Sequence, residues 1–326
     1  MKRIIVAFAL LSVIHLSAEA QQDAQYSQYM FNSLAMNPGY AGYKEVINAS
    51  LLHRTQWAGF DGAPKTQSLL VDGAFFNNKN VGLGLAIVND EIGFQKQTSA
   101  YANYAYRLPV GENGARLAFG MALGIVQYST DVSMAELENP SDLNYIGGER
   151  NFTTPEGKVG LFYNTEKFYA GLSATNIISN SKNYLESGKN IVARQSRHYF
   201  LTAGYLVDVN EALKIKPSFL IREDTKGPTN LDLNTFFIFN EKVWLGAAYR
   251  TSMNFGNKSD LYGGTFKANA LVGALQLIAS EKFRVGYAYD YSLSDIRDVS
   301  NGSHEISIGI SLNPKKGTVM PTPRYF

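Results

Sequence analysis

The sequence predicts an all-β fold, a transmembrane antiparallel outer-membrane β-barrel of about fourteen strands. Three observations predict it. Segment after segment alternates between a large apolar face and a small or polar one. Long and short connections between those segments alternate down the chain. A short apolar leader opens the chain, and no later run approaches the ~20 apolar residues of a membrane helix.

Residues 1–20 read as a signal peptide. Lys2-Arg3 is a basic start, Ile4 to Ile14 a short apolar core, and Ala18-Glu19-Ala20 a cleavage site. The mature chain then begins near Gln21, outside the cytoplasm.

Residues 21–44 do not alternate. Asn37-Pro38-Gly39 is a turn signal, and Tyr26, Tyr29, Phe31 and Met36 are sticky for a loop. This stretch reads as an N-terminal leader that packs on the first strands, or as a plug or partner-facing segment.

Residues 45–312 read as the barrel. The expected strands are 45–54, 65–76, 80–90, 96–108, 115–128, 157–164, 167–175, 197–208, 213–223, 230–239, 242–251, 265–278, 282–293 and 304–312. Most approach the ~9–11 residues that cross a bilayer at a tilt. The last hairpin shows the pattern best. Phe283, Val285, Tyr287, Tyr289 and Tyr291 share one face; Arg284, Gly286, Ala288 and Asp290 share the other. After Asn301-Gly302, Ile306, Ile308, Ile310 and Leu312 alternate with Glu305, Ser307, Gly309 and Ser311. Successive strand side chains point to opposite faces. A soluble sheet usually sends Lys, Glu and Thr outward. A face of Gly, Ala and Ser instead suits the lumen of a barrel whose other face meets lipid. Arg284 and Asp290 are then luminal. On this reading Ile308→Arg costs about 2–4 kcal/mol and Ser307→Arg much less.

The connections 55–64, 91–95, 129–156, 176–196, 224–229, 252–264 and 294–303 are the long set, with 91–95 and 224–229 close to the boundary; those at 77–79, 109–114, 165–166, 209–212, 240–241 and 279–281 are short. Barrels of this class have short periplasmic turns and longer outer loops, so length should flip with strand parity. Residues 313–326 carry Pro314, Pro321 and Pro323 and read as a periplasmic tail.

Composition narrows the function. The 326 residues include no cysteine, which excludes disulfides and Cys-based metal sites. A formal net charge of +2, with basic residues scattered, does not point to nucleic acid. His53, His198 and His304 lack metal-ligand spacing. Gly82-Leu83-Gly84 lacks the third glycine of a dinucleotide fingerprint. The pairs Asp90-Glu91 and Glu223-Asp224 point to opposite strand faces and cannot share one site. No enzyme, cofactor or metal is expected.

Two stretches carry a family likeness. They are Asp23-Ala24-Gln25-Tyr26-Ser27-Gln28-Tyr29-Met30-Phe31-Asn32 with Asn37-Pro38-Gly39-Tyr40-Ala41-Gly42, and Arg54-Thr55-Gln56-Trp57-Ala58-Gly59-Phe60-Asp61-Gly62-Ala63-Pro64-Lys65. With Tyr289-Asp290-Tyr291-Ser292 and Gly302-Ser303-His304-Glu305, the chain resembles the PorP/SprF family of Bacteroidota outer-membrane proteins. That resemblance implies a role in type IX secretion and, in gliding bacteria, adhesin display. It implies that the barrel anchors the C-terminal domain of a secreted surface protein. It further implies inner contacts with periplasmic ring or peptidoglycan-binding components, and outer-membrane lipid around the wall. The candidate partner-binding residues are Tyr26, Tyr29, Asn37, Pro38 and Tyr40 in the leader, and Arg54, Trp57, Phe60, Asp61, Pro64 and Lys65 in the first long loop. The loops 129–156 and 176–196 are expected to touch cargo. The alternative is a porin or hydrophobic-solute transporter, for which Arg284 and Asp290 would line the pore.

Overall fold

The computed structural model describes residues 25–75, 78–111, 114–131, 149–178, 196–224, 227–253 and 266–312. The expected signal peptide and tail lie outside the described residues, as does most of the loops 129–156 and 176–196.

Fourteen antiparallel strands close into a barrel. They are β1 (Ile47–Thr55), β2 (Lys65–Phe75), β3 (Asn78–Ile92), β4 (Gln95–Pro109), β5 (Arg116–Asp131), β6 (Glu149–Asn164) and β7 (Phe168–Thr175). Then follow β8 (His198–Tyr205, resuming at Val207–Asp208), β9 (Leu213–Asp224), β10 (Thr229–Phe239), β11 (Val243–Met253), β12 (Phe266–Ile278), β13 (Phe283–Ser292) and β14 (Ser303–Leu312). Each strand pairs with its sequence neighbours, and β1 pairs with β14 from Ile47↔Leu312 to Thr55↔His304. Closure leaves no sheet edge, which a wall in hydrocarbon requires.

The two faces divide as the alternation predicts. Met121, Leu123, Ile125, Ile306, Ile308 and Ile310 point outward and are exposed, while Ala118, Ala122, Glu305 and Ser307 are buried. Apolar groups outside and small or polar ones inside invert a soluble fold and match a wall facing lipid. Among the described residues no helix is long and apolar enough to cross a membrane.

One element is longer than its sequence suggests. The sequence reads as loop through Pro155-Glu156, with a strand only from Gly157, yet β6 starts at Glu149 and pairs with β5 through Asp131↔Glu149. Pro155 is tolerated because β7 pairs with β6 only from Val159↔Ala174 down to Asn164↔Tyr169. At Pro155 only β5 is a ladder partner, so the missing N–H can face away from it. A second irregularity re-aims a side chain. The register slips between Arg250↔Ala270 and Thr251↔Ala268, leaving Asn269 of β12 as the extra residue. This β-bulge re-aims the Asn269 side chain, whose Nδ2 donates to Ser252 Oγ at 2.5 Å.

Candidate functional site

The leader does not lie along the wall; it turns back from Ile47 and occupies the lumen. Its local structure is three short turns: Tyr29–Phe31, the four-residue helix α1 (Ser33–Met36) and Pro38–Tyr40. The stretch is too short and too broken for an amphipathic helix. Asn37 makes the last turn by accepting from Gly39 N at 2.8 Å, with Pro38 at its first position.

The chain enters at the short-turn end. Glu45 pairs there with Lys79 (3.1 Å), Arg107 (3.6 Å) and Arg116 (3.6 Å). Arg107 Nη1 donates to Gly42 O at 2.6 Å, and Gly42 N donates to Asp72 Oδ2 at 2.9 Å. Gly42 has φ +70° and sits against the backbone of Gly73 and Gly82. Any side chain there would be strained and would collide with the wall.

From Ala41 to Asn37 the leader lies against glycines of the wall, by backbone at Ala41 and Gly39 and by side chain at Asn37. A Cβ at Gly82 would meet Ala41, one at Gly120 would meet Gly39, and one at Gly160 would meet Asn37. The small-residue face is therefore a seat cut to fit, not an open lining. Tyr40, Tyr43 and Phe162 close around it, with ring centroids 5.3–5.5 Å apart. Asn37 Nδ2 donates to Leu161 O at 2.9 Å.

The middle of the leader reaches across the lumen. Lys158 Nζ donates to Ala35 O at 2.7 Å from above the Tyr101 ring, and Ser173 Oγ donates to Met36 O at 2.9 Å. Phe31 meets Phe236 and Trp244 edge-on at 5.8 and 5.6 Å. Burial pushes the phenols of Tyr29 and Tyr40 well above their ordinary range, so both stay neutral.

At the long-loop end the leader meets ions. Glu305 accepts from two successive amides, Ser27 N at 2.8 Å and Gln28 N at 2.7 Å. Ser27 Oγ donates to Asp290 at 2.5 Å and accepts from Arg54 Nη1 at 2.7 Å. Arg54 pairs with Asp290 (2.7 Å) and Glu305 (3.3 Å). The chain of charge continues through Arg250, bound to Asp290 (3.1 Å) and Asp232 (2.9 Å), to Arg222 (3.8 Å from Asp232). Every member is buried, so opposite charges and leader amides replace the water they lost.

The named candidates fall into two places. Tyr26, Tyr29, Asn37, Pro38 and Tyr40 are buried in the lumen, and so is Arg54, which lies beneath the first long loop rather than on it. Arg284 and Asp290 are luminal; Arg284 Nη1 donates to Asn48 Oδ1 at 2.8 Å. Trp57, Phe60, Asp61, Pro64 and Lys65 stay together in or beside the β1–β2 loop. There Trp57 N donates to Ser303 Oγ (3.1 Å), Ala58 N to Gly302 O and Asn301 N to Ala58 O (both 2.7 Å), and Gly93 N to Gly62 O (2.9 Å). Positive φ at Trp57 (50°), Gly59 (90°) and Gly62 (72°) gives the loop its shape. The result is a braced rim on which Phe60 is 47% exposed.

Sequence reasoning did not single out Ser27, Gln28, Glu305, Lys158 or Arg107. The available signal was a charged residue recurring on a face otherwise made of Gly, Ala and Ser. The expectation that Ser307→Arg costs little took the inner face of β14 as open. Ser307 is in fact buried and donates to Gln28 Oε1 at 2.7 Å, so an arginine there would collide with the leader.

A family model described as "Type IX secretion system membrane protein PorP/SprF" matches residues 18–310. No curated protein matches the chain. Among solved structures, the Ralstonia pickettii toluene transporter TbuX is similar at 10% identity and TM-score 0.53, over 86% of this chain and 93% of that one. The CymD monoaromatic hydrocarbon channel stands at 13% and 0.49, over 91% and 95%. Acinetobacter baumannii Omp33 stands at 9% and 0.45, over 83% and 99%. At these identities the likeness is one of fold alone.

Proposed function

The chain belongs to the PorP/SprF family of type IX secretion system membrane proteins, and from that premise we propose that it anchors or helps export one cognate secreted surface protein. It is an outer-membrane barrel, and its family and structural neighbours are secretion- and porin-type membrane proteins. In this reading the leader is a plug, the rim is the working surface, and the cargo's C-terminal domain docks there. Periplasmic components of the secretion machinery meet the short-turn end.

One observation carries the reading. The leader bonds to strands on all sides of the lumen, from Glu305 on β14 through Ser173 on β7 to Arg107 on β4. A solute path would need that space. What the molecule offers instead is a braced outer loop with an exposed aromatic at its tip. Aromatic residues on a rigid support are frequent energetic anchors at protein interfaces.

The test is a mild-detergent purification from native membranes, with mass spectrometry of co-eluting chains, alongside planar-bilayer recording. The expected outcome is one large secreted companion, lost or weakened at least tenfold by Phe60→Asp, and no steady conductance. Steady conductance with no companion would overturn the proposal and favour the transporter reading.

A further inference from the structure

The outer wall is not uniformly apolar, and its exception has the layout of a lipid site. One row across β14, β1, β2, β3 and β4 is Ile306↔His53↔Gln67↔Asn89↔Thr98. Its members share the outward face with Leu51, Leu69 and Ile87. Yet beyond Ile306 the row holds an imidazole, two amides and a hydroxyl. The next row toward the long loops is His304↔Thr55↔Lys65↔Glu91↔Lys96, with both lysines exposed. The row on the other side, Ile308↔Leu51↔Leu69↔Ile87, is wholly apolar. Elsewhere on the barrel the row Leu233↔Tyr249↔Leu271↔Tyr291 keeps aliphatic and aromatic groups on the outside. All four are exposed.

The polar row and the apolar row beneath it also form a depression, with the lysine row just beyond its upper edge. Leu51, Leu69, Ile87 and Ile308 line a groove of about 480 Å³ with His53, Gln67 and Asn89. The polar groups are partly arranged among themselves. Thr55 Oγ1 lies 3.2 Å from His53 Nε2, and Thr98 Oγ1 donates to Asn89 Oδ1 at 2.9 Å. Tyr287 OH is 2.8 Å from His304 Nδ1. Hydrocarbon cannot satisfy what remains, and a polar group facing acyl chains is costly.

We propose that this face binds a phosphorylated glycolipid of the outer leaflet. An acyl chain lies in the Leu51–Leu69–Ile87–Ile308 groove, the sugar hydroxyls meet Gln67, Asn89 and His53, and the phosphate is drawn to Lys65 and Lys96. Glu91 stands between the lysines in register and keeps the site from being a bare cationic patch. Three features favour a lipid over a soluble anion: the apolar groove, the polar row directly above it, and the cations above that. They appear in the order in which a glycolipid presents chain, sugar and phosphate. The inference does not depend on cargo binding.

The test is native mass spectrometry of the full chain in detergent, stripped of lipid and titrated with lipid A, phosphatidylethanolamine or inorganic phosphate. Lipid A is expected to bind at least tenfold tighter than phosphatidylethanolamine, and phosphate not to compete. His53→Leu with Gln67→Leu should lower lipid A affinity at least tenfold. These changes make the wall more apolar, and retained heat-modifiable migration would show that the barrel still folds. Lys65→Gln with Lys96→Gln should lose the preference for the phosphorylated head. Equal binding of the two lipids, undiminished binding by the His53/Gln67 variant, or full competition by phosphate would overturn the proposal. So would a photo-crosslinker at Gln67 that captures a polypeptide rather than a lipid in native membranes.

Discussion

At the long-loop end the leader is held by Arg54, Asp290 and Glu305, which grip Ser27 and Gln28 through charged groups. Toward the short-turn end Asn37 to Ala41 are held by shape, with backbone set against Gly82 and Gly120 and the Asn37 side chain against Gly160, and charged groups return only at Gly42, held by Arg107 and Asp72. The two anchors fail differently. A buried ion cluster gains much from pairing but has given up much hydration, so its net contribution is small and losing one member is severe. A close fit depends on dispersion and hydrogen bonds, which tolerate changes of charge but not an added methyl. The comparison marks the long-loop end as the one a single substitution can release.

The largest effect is expected at the ionic anchor. Arg54→Ala leaves Glu305 and Asp290 short of a cation and should cost about 3–5 kcal/mol. Trp244, packed on Phe31, should report the released leader in urea titrations of a Trp57→Phe background. An unchanged midpoint would mean the cluster does not hold the leader. Ile308→Arg touches neither anchor and calibrates the scale. It should cost about 2–4 kcal/mol by facing lipid with a charge. Hydrogen exchange at residues 37–42 should be unchanged in the protein that still folds.

Gly120→Val should cost about 1–3 kcal/mol by overpacking against Gly39. It should raise exchange at residues 37–42 while sparing the Ser27 and Gln28 amides. If both ends loosen together, the leader is a single cooperative unit and the contrast drawn above fails. Asn37→Ala removes its bonds to Gly39 and Leu161 at about 0.5–1.5 kcal/mol each, a loss of the same order as that of Gly120→Val. Thermal melts followed by gel mobility should place the two together, both below Ile308→Arg.

The wall was legible in the sequence because its physics is local. Period-two alternation sets which side chain faces lipid, and all fourteen strands follow from it, with loop length flipping by parity except at the two-residue Gly93-Phe94 turn between β3 and β4. The start of β6 was not legible. Pro155 is a strand breaker wherever both neighbours are ladder partners, and only the closed structure shows that β7 is missing there. The lumen was half legible. Arg284 and Asp290 lie on the inward face that alternation assigns them. What they meet is set by residues hundreds of positions away: Ser27 Oγ reaches Asp290 across 263 residues and Ser27 N reaches Glu305 across 278. Arg54 shows the limit most plainly. Its place in a distinctive motif suggested a surface role, but the last residue of the inward-facing run on β1 points into the barrel, not into the loop that follows.

Arg54 belongs to the first strand, Glu305 to the last, and the two stand opposite each other across the seam where the cylinder shuts. The amides of Ser27 and Gln28 complete that same handshake. Zipping the ends of the sheet and stowing the leader are thus read by one set of atoms. A chain that shut without its leader inside would leave a carboxylate and a guanidinium facing an empty bore, so sealing the cylinder and filling it stabilise one another.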